Sequence, residues 1–269
     1  GAGIGAGLNA GTTTINIKDN AHIVSATGGK YGGAGIGSGS YSGSTPDSKK
    51  GAVTINITDG TIEKAEGKDG GAGIGSGYYG RSSTVNISGN AELKDVKGGN
   101  LAAGIGSGYD SGKVDVVIDG GTIIATGGDS AAGIGSGHNS RSSVIIKSGT
   151  VNAAGNGTGA GIGGSDNNNS SSITITGGTI IANGTGEAPA IGGGSVSISN
   201  ADAPLDITAT APDAANAIQS NDGKTLDKVI SLMENGRSAL VRLVKSGSDT
   251  IISRLFHNGA YAANHSTFH

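Results

Sequence analysis

Gly-Ala-Gly-Ile-Gly-Ser-Gly occupies residues 33–39 and recurs unchanged at residues 71–77. Variants of this stretch occupy residues 1–7, 102–108, 131–137, 159–165 and 188–194. The isoleucines at the centres of the copies are Ile4, Ile36, Ile74, Ile105, Ile134, Ile162 and Ile191. They follow one another at intervals of 28 to 38 residues. A repeat period near thirty residues indicates one structural unit that is stacked on itself.

The composition agrees with a solenoid. The chain has 269 residues, of which 54 are Gly, with 34% hydrophobic residues, two Phe and no Trp. A collagen triple helix is excluded, because Gly does not occur at every third position and there are only four Pro. A spherical core needs more apolar mass than this chain has. A solenoid needs less, since its core is a thin column filled one layer at a time.

Charge and cysteine content exclude several classes. The formal net charge is −3 and both signs are spread along the chain, so no basic face for nucleic acid is predicted. The sequence contains no run of about 18 apolar residues, so no membrane-spanning helix is predicted. There is no Cys, which excludes disulfides and thiolate metal sites. The chain begins with Gly inside a repeat, so we expect a fragment or a processed product.

Each unit reads as three short extended runs. The first is the glycine run, in which Ala34, Ile36 and Ser38 alternate with Gly. The second is β-branched and alternates with polar residues, as in Thr54-Ile55-Asn56-Ile57. The third follows a turn such as Asp119-Gly120 and carries one or two apolar residues. Residues 40–50 and 63–70 are predicted to be polar surface loops.

Three strands per coil predict an all-β fold, a right-handed parallel β-helix of about 7–8 coils with a rise of roughly 4.8 Å per coil. The eighth coil is a degenerate one, centred on Ile218 and preceded by Leu205 and Ile207 on its third run. A leucine-rich-repeat horseshoe is excluded because its consensus is absent. A β-propeller is the weaker alternative, since its blades need about four strands each.

The composition changes near residue 218. We therefore predict two parts, the parallel β-helix over 1–218 and a C-terminal segment over 219–269. In the second part Gly becomes rarer, Thr225 predicts the start of a short helix that ends before Gly236, and 238–245 fits helix or strand equally well. The segment is interpreted as a cap over the open core, with a docking element for another chain as the alternative.

Strand alternation places one set of glycines opposite the isoleucines, and we expect a flat outward face of bare backbone there. A positive φ or a corner too tight for a Cβ explains such glycines structurally. A partner lying flat on the face explains them functionally. The predicted face consists of Gly35, Gly37, Gly73, Gly75, Gly104, Gly106, Gly133, Gly135, Gly161 and Gly163.

The turn after the glycine run carries aromatic and cationic residues at similar distances from the isoleucine. In a stack with true register, these residues form a row of rings beside a row of cations. Rings can bind sugar faces and cations can bind the carboxylates of acidic sugars. Stacked turns with solvated charges are the alternative. The candidate ligand-binding residues are Tyr41, Tyr78, Tyr79, Tyr109, His138, Arg81, Lys113 and Arg141.

No catalytic constellation is visible. The five His are not paired in spacing, and Asp110, Asp115 and Lys113 occur where turn residues are ordinary. No calcium-binding repeat or EF-hand loop is present, and the glycine run lacks the Lys-Ser/Thr of a phosphate-binding loop. We predict no enzyme activity, no metal site and no cofactor.

The repeated glycine run, followed by a β-branched run and by Gly-Thr-Ile-Ile-Ala-Thr-Gly-Gly at 121–128, resembles the glycine-rich repeats of large bacterial cell-surface proteins. These are described as adhesin-like or carbohydrate-binding. The resemblance covers residues 1 to about 200 and implies an extracellular or cell-surface β-helix that displays or binds.

The function predicted from this is non-enzymatic adhesion to a polysaccharide or to a host or cell-surface ligand. A self-assembling surface protein that forms homo-oligomers, filaments or sheets is the second interpretation, and a polysaccharide lyase or hydrolase is the third.

Overall fold

A computed structural model describes residues 1–7, 11–40, 52–165, 171–222, 224, 226–233, 236–247, 251–257 and 260–265. Over these residues the protein is almost entirely β-structure. The strands pair in parallel from one coil to the next, forming a β-solenoid of about seven turns. The predicted fold class is confirmed. We number the coils 1 to 8 by their central isoleucines, from Ile4 in coil 1 to Ile218 in coil 8.

The glycine runs form the first sheet, which contains seven parallel strands of two residues each. These strands are Ile4–Gly5, Ile36–Gly37, Ile74–Gly75, Ile105–Gly106, Ile134–Gly135, Ile162–Gly163 and Ile191–Gly192. Each isoleucine pairs with the isoleucine of the next coil, as Ile36 does with Ile74. A parallel bridge from Ile191 to Ile218 carries the column into coil 8.

The second and third runs together form the other sheet. Its second-run strands in the outer coils are Thr13–Ile17, Val53–Thr58, Ser171–Ile175 and Gly194–Ile198. Its separate third-run strands are His22–Ile23, Ala26–Thr27, Thr61–Ile62, Ala65–Glu66, Gly178–Asn183 and Leu205–Ala211. Ala65–Glu66 pairs with Ala26–Thr27 and Ala65 is buried, so the prediction of a surface loop was wrong at 65–66, while 67–70 lie outside the strands.

In coils 3 to 5 the second and third runs merge into single bent strands. These strands are Ser83–Lys97, Val114–Thr126 and Ser142–Ala154. Gly89, Gly120 and Gly149 lie at the bends with positive φ values of 65°, 124° and 100°. Glycine adopts such angles without a steric penalty, so the chain turns the corner while ladder pairing continues on both sides of it.

The core is a column of β-branched side chains from all three runs. Ile74, Ile105 and Ile134 are fully buried, as are Ile118 and Ile123 on the other two runs of coil 4. Burying each such side chain contributes roughly 1.5–3 kcal/mol, so a thin column provides a large part of the driving force for folding.

A column of serines is also buried, two residues after the central isoleucine in coils 2 to 5. Ser38, Ser76, Ser107 and Ser136 are 0% exposed. Ser38 Oγ accepts a hydrogen bond from Gly77 N at 2.9 Å, and Ser107 Oγ accepts one from Gly137 N at 3.1 Å. These bonds link neighbouring coils and satisfy polar groups that would otherwise be costly to bury.

The parallel ladder runs past residue 218, where the composition changes. Ala239–Lys245 pairs in parallel with Leu205–Ala211, which in turn pairs with Gly178–Asn183 of coil 6. Leu205 and Ile207 therefore lie on the third run of coil 7, and their predicted place in the eighth coil was wrong. Two antiparallel strands follow, Ile251–His257 and Ala260–His265. The predicted helix is short, Leu226–Val229, and a 3₁₀ turn occupies Ala214–Asn216.

Candidate functional site

The glycines opposite the isoleucines lie inside the protein and do not form an outward face. The whole set is buried, namely Gly35, Gly37, Gly73, Gly75, Gly104, Gly106, Gly133, Gly135, Gly161 and Gly163. This corrects the expectation of a flat exposed face. Strand alternation was read correctly, but the side assigned to solvent is covered by other backbone.

Two contacts enclose these glycines. A Cβ on Gly104 would lie 2.7 Å from the carbonyl oxygens of both Gly133 and Thr126, at the end of the third run. A Cβ on Gly106 would lie 1.9 Å from the carbonyl oxygen of Gly135, and Gly106 has a φ of +139°. Real Cβ atoms cannot approach that closely. The structural explanation, a positive φ with a close approach, therefore accounts for the glycines.

Four of the predicted ring residues meet at one corner of coils 3 to 5. The centroids of Tyr78 and Tyr109 are 5.3 Å apart with an interplanar angle of 14°, and those of Tyr109 and His138 are 5.5 Å apart at 26°. Tyr79 lies 4.4 Å from Tyr78 at 58° and 6.2 Å from Tyr109 at 72°. We call these four residues the ring row. Tyr41 lies outside the described residues.

The backbone of the turn sets the direction of the ring row. Tyr78 donates its backbone N–H to Gly32 O at 2.7 Å, and Tyr109 donates its own to Gly70 O at 2.8 Å. A Cβ on Gly70 would lie 2.7 Å from a ring carbon of Tyr78. Because Gly70 has no side chain, the rings can lie close against the preceding turn. The turns of successive coils are in the same register, so each ring lies above the ring of the coil before it.

The ring row is partly exposed. Tyr78, Tyr109 and His138 are half-buried, while Tyr79 is exposed and has a φ of 48°. Because Tyr109 has a ring on each side, the stack presents ring edges and phenolic groups to solvent. The face of a sugar can reach the ring row only at its ends and at Tyr79.

A neighbouring negative charge alters the pKa of one phenol of the row, that of Tyr109. The Asp110 carboxylate beside it raises the pKa of Tyr109, because the negative charge and the hydrogen bond disfavour the phenolate, and desolvation adds to this. The Tyr109 hydroxyl thus stays a hydrogen-bond donor over the whole physiological pH range.

The predicted row of cations is not in register. Ser83 pairs with Val114, and Val114 with Ser142, which aligns Lys113 with Arg141 but leaves Arg81 one position away. Arg81 is only 8% exposed. Lys113 forms an exposed ion pair with Asp115 at 2.7 Å, and Arg141 is exposed. The structure thus groups two of the three cations.

Two polar ladders were missed as specific contacts. Asn56 Nδ2 donates to Asn16 Oδ1 at 2.8 Å, and Asn86 Nδ2 donates to Asn56 Oδ1 at 2.9 Å. Their shared place in the Thr-Ile-Asn-Ile and Thr-Val-Asn-Ile runs was the available signal.

The second missed ladder is charged. Lys94 Nζ and His22 Nε2 contact Glu63 Oε1 at 2.9 and 3.0 Å, and both hydrogen bonds, that of Lys94 first, lower the pKa of Glu63. These three side chains are exposed, so their ion pairs contribute little to stability.

The described residues lack two other kinds of feature, a cluster of metal ligands and a membrane-spanning helix. No group of three or more His, Cys, Asp or Glu side chains in the described part of the chain could hold a metal ion. None of the helices that the structure describes is long and apolar enough to cross a membrane.

Comparison with known families agrees with this geometry. A family model described as "Beta helix repeat" matches residues 55–78, 116–138, 144–166 and 173–195. Each match begins in or next to a second run, and each covers the next central isoleucine. The protein is therefore a β-helix repeat protein. No curated protein and no solved structure matched the chain.

Proposed function

We propose that the protein is a non-enzymatic β-solenoid of the bacterial cell surface that binds polysaccharide through the ring row. The observation that carries the proposal is the stacking of Tyr78, Tyr109 and His138 at one partly exposed corner, with Tyr79 tilted against them. Adhesion through this binding is its biological role, in keeping with the resemblance of the repeats to adhesin-like surface proteins.

The chemistry of the corner supports a carbohydrate ligand. Aromatic rings with polar tips give apolar contact and hydrogen bonding in one side chain, which suits the amphiphilic face of a sugar. The raised pKa of Tyr109 keeps its hydroxyl protonated. Arg141 adds an exposed cation on the same turn, which favours acidic sugars over neutral ones at this corner.

The titratable groups support a binding role over acid-catalysed hydrolysis. General acid catalysis by a carboxyl group requires a raised pKa. In the described part of the chain, the carboxyl groups with clearly altered pKa values are Glu63, Glu66 and Asp222, and all three are lowered. Self-assembly through the glycines lacks support, because those glycines are buried.

Depletion of the protein from solution by insoluble polysaccharides, after a glycan array has selected the ligand, tests the proposal. The triple variant Tyr78→Ala/Tyr79→Ala/Tyr109→Ala removes the tyrosines of the row. We expect it to bind at least about tenfold more weakly, since truncating one central aromatic contact costs more than about 1 kcal/mol.

Tyr31→Ala is the matched control. Tyr31 is 70% exposed, and its ring centroid lies 4.9 Å from Lys30 Nζ. Tyr31 is the neighbour of Gly32 in the chain, but it is not one of the rings of the row. It should bind like the unaltered protein. Failure of the unaltered protein to bind any glycan, or equal binding by the triple variant with its circular dichroism unchanged, would overturn the proposal.

A further inference from the structure

The ring row follows a backbone rule that can be traced beyond it. Each of its three stacked residues donates its backbone N–H to the carbonyl oxygen four residues before the central isoleucine of the preceding coil. The donor and acceptor pairs are Tyr78 to Gly32 at 2.7 Å, Tyr109 to Gly70 at 2.8 Å and His138 to Leu101 at 2.9 Å. We call the residue four positions before a central isoleucine the support, because its carbonyl oxygen holds the backbone of a ring residue from the next coil.

Coil 7 cannot supply a residue to the support in coil 6. Ser171 and Gly194 are paired second-run residues, and Ile162 and Ile191 are paired central isoleucines. Nine positions separate Ile162 from Ser171, but only three separate Ile191 from Gly194. The turn that carries the rings in earlier coils is therefore too short in coil 7 to reach this place.

Thr158 is the residue at that support, four positions before Ile162. Within the described residues its carbonyl oxygen accepts no hydrogen bond, unlike those of Gly32, Gly70 and Leu101. Its hydroxyl oxygen is buried and likewise has no hydrogen-bond partner there. The Thr158 hydroxyl is thus a buried polar group without a partner among the described residues, which is rare.

A recess of about 280 Å³ lies against Thr158. Its other polar walls are Ser165, Glu187, Gln219 and Asn221, and Pro189 with its neighbour Ala188 adds apolar surface. The side chains of Glu187, Gln219 and Asn221 make no hydrogen bond or ion pair with any residue that the structure describes. All three are exposed at the rim.

We propose that this recess binds one pyranose ring of a neutral carbohydrate. The volume of about 280 Å³ is just below the usual range of ligand pockets, about 300–1,000 Å³, which restricts the occupant to a single ring. A sugar ring carries hydroxyls around its edge, matching the two amides and the carboxylate at the rim. It also carries C–H groups that can pack on Pro189.

Charge selects among sugars here. Glu187 is the only charged side chain among the described walls, so a uronic acid would be repelled while a neutral hydroxyl can donate to the carboxylate. This preference is opposite to that of the corner with Arg141. The recess is separate from the ring row, and the inference does not depend on the proposed function.

Saturation-transfer-difference NMR on the full chain tests the recess directly. The probes are glucose, galactose, mannose and N-acetylglucosamine, with glucuronate as the acidic probe. We expect saturable binding of at least one neutral sugar in the millimolar range, as suits a single small ring, and none of glucuronate. No binding by any neutral sugar, or preferred binding of glucuronate, would overturn the inference.

Two variants locate the binding. Glu187→Gln removes the carboxylate and should weaken binding about tenfold, because a hydrogen bond to a charged group is lost. Asn221→Trp places a large ring at the rim and should abolish it. Both side chains are exposed, so folding is preserved.

Asp69→Asn is the matched control, since it removes an exposed carboxylate from the corresponding turn of coil 3, where φ is 44° and Asn is tolerated. It should bind as the unaltered protein does. Sugar binding that survives both Glu187→Gln and Asn221→Trp would place the site elsewhere and refute the inference. The tyrosines of the ring row are intact in all three variants. Depletion of these variants from solution by insoluble polysaccharide therefore tests the proposed function separately from the recess.

Discussion

Replacing Gly106 by alanine tests the reason for the glycine run. The new Cβ would lie 1.9 Å from the carbonyl oxygen of Gly135 and 2.9 Å from its carbonyl carbon, both backbone atoms of coil 5. The φ of +139° is also one that residues with a side chain rarely adopt. Two separate penalties therefore act at one position.

The magnitude follows from these two penalties. A sparsely populated backbone conformation costs about 1–3 kcal/mol, and forced overpacking costs about 1–3 kcal/mol more. A loss of roughly 2–6 kcal/mol in the free energy of unfolding corresponds to a fall in Tm of about 4–24 °C, at about 2–4 °C per kcal/mol for a chain of about this size. Thermal unfolding followed by circular dichroism measures this shift.

Gly11→Ala is the matched control, because a Cβ on Gly11 meets no atom of the described residues within 4 Å and its φ is outside the positive region. Its Tm should change little, as expected of a surface substitution within about 0.5 kcal/mol. A Gly106→Ala variant as stable as Gly11→Ala would refute the close-packing explanation of the glycines. It would reopen the functional one.

Two further predictions concern the core column and the ring row. Ile105→Ala should lower the free energy of unfolding by about 2–5 kcal/mol, while Ile124→Ala, whose side chain is 43% exposed, should change it far less; urea titration compares them. Equal losses would contradict the inward assignment of the glycine-run isoleucines. Asp110→Asn should lower the pKa of Tyr109 toward its ordinary value of 10.0, since the neighbouring charge is removed, and ultraviolet titration of the phenolate measures it. An unchanged titration curve would show that Asp110 does not act on Tyr109.

The solenoid itself could be predicted because its determinants are local and repeated. An isoleucine at a fixed place in every copy must pair with its counterpart in the next coil, as Ile74 does with Ile105. Alternation in the second run then decides which residues face the column, because successive side chains of a strand point to opposite sides. The stacking of Tyr78 on Tyr109 follows from the same register, since their turns are equal in length.

The enclosure of the glycines could not be predicted in the same way. Alternation shows that Gly104 faces away from Ile105, but it does not show what lies there. Only the closed coil brings the backbone of Thr126 within 2.7 Å of the place of a Cβ. The offset of Arg81 has a related cause. Arg81 and Arg141 lie equally far along the chain from their own central isoleucines, Ile74 and Ile134. The turn of coil 5 is one residue shorter than the turn of coil 3, so the two arginines are not aligned.

The sequence by itself determined the coil, its period and the residues of the core column, because these depend on spacing within one repeat. The tertiary structure decided which surface is covered and where the recess at Thr158 opens. Those features depend on differences in turn length between coils, such as the short turn from Ile191 to Gly194. Their effect appears only when each coil lies against its neighbours.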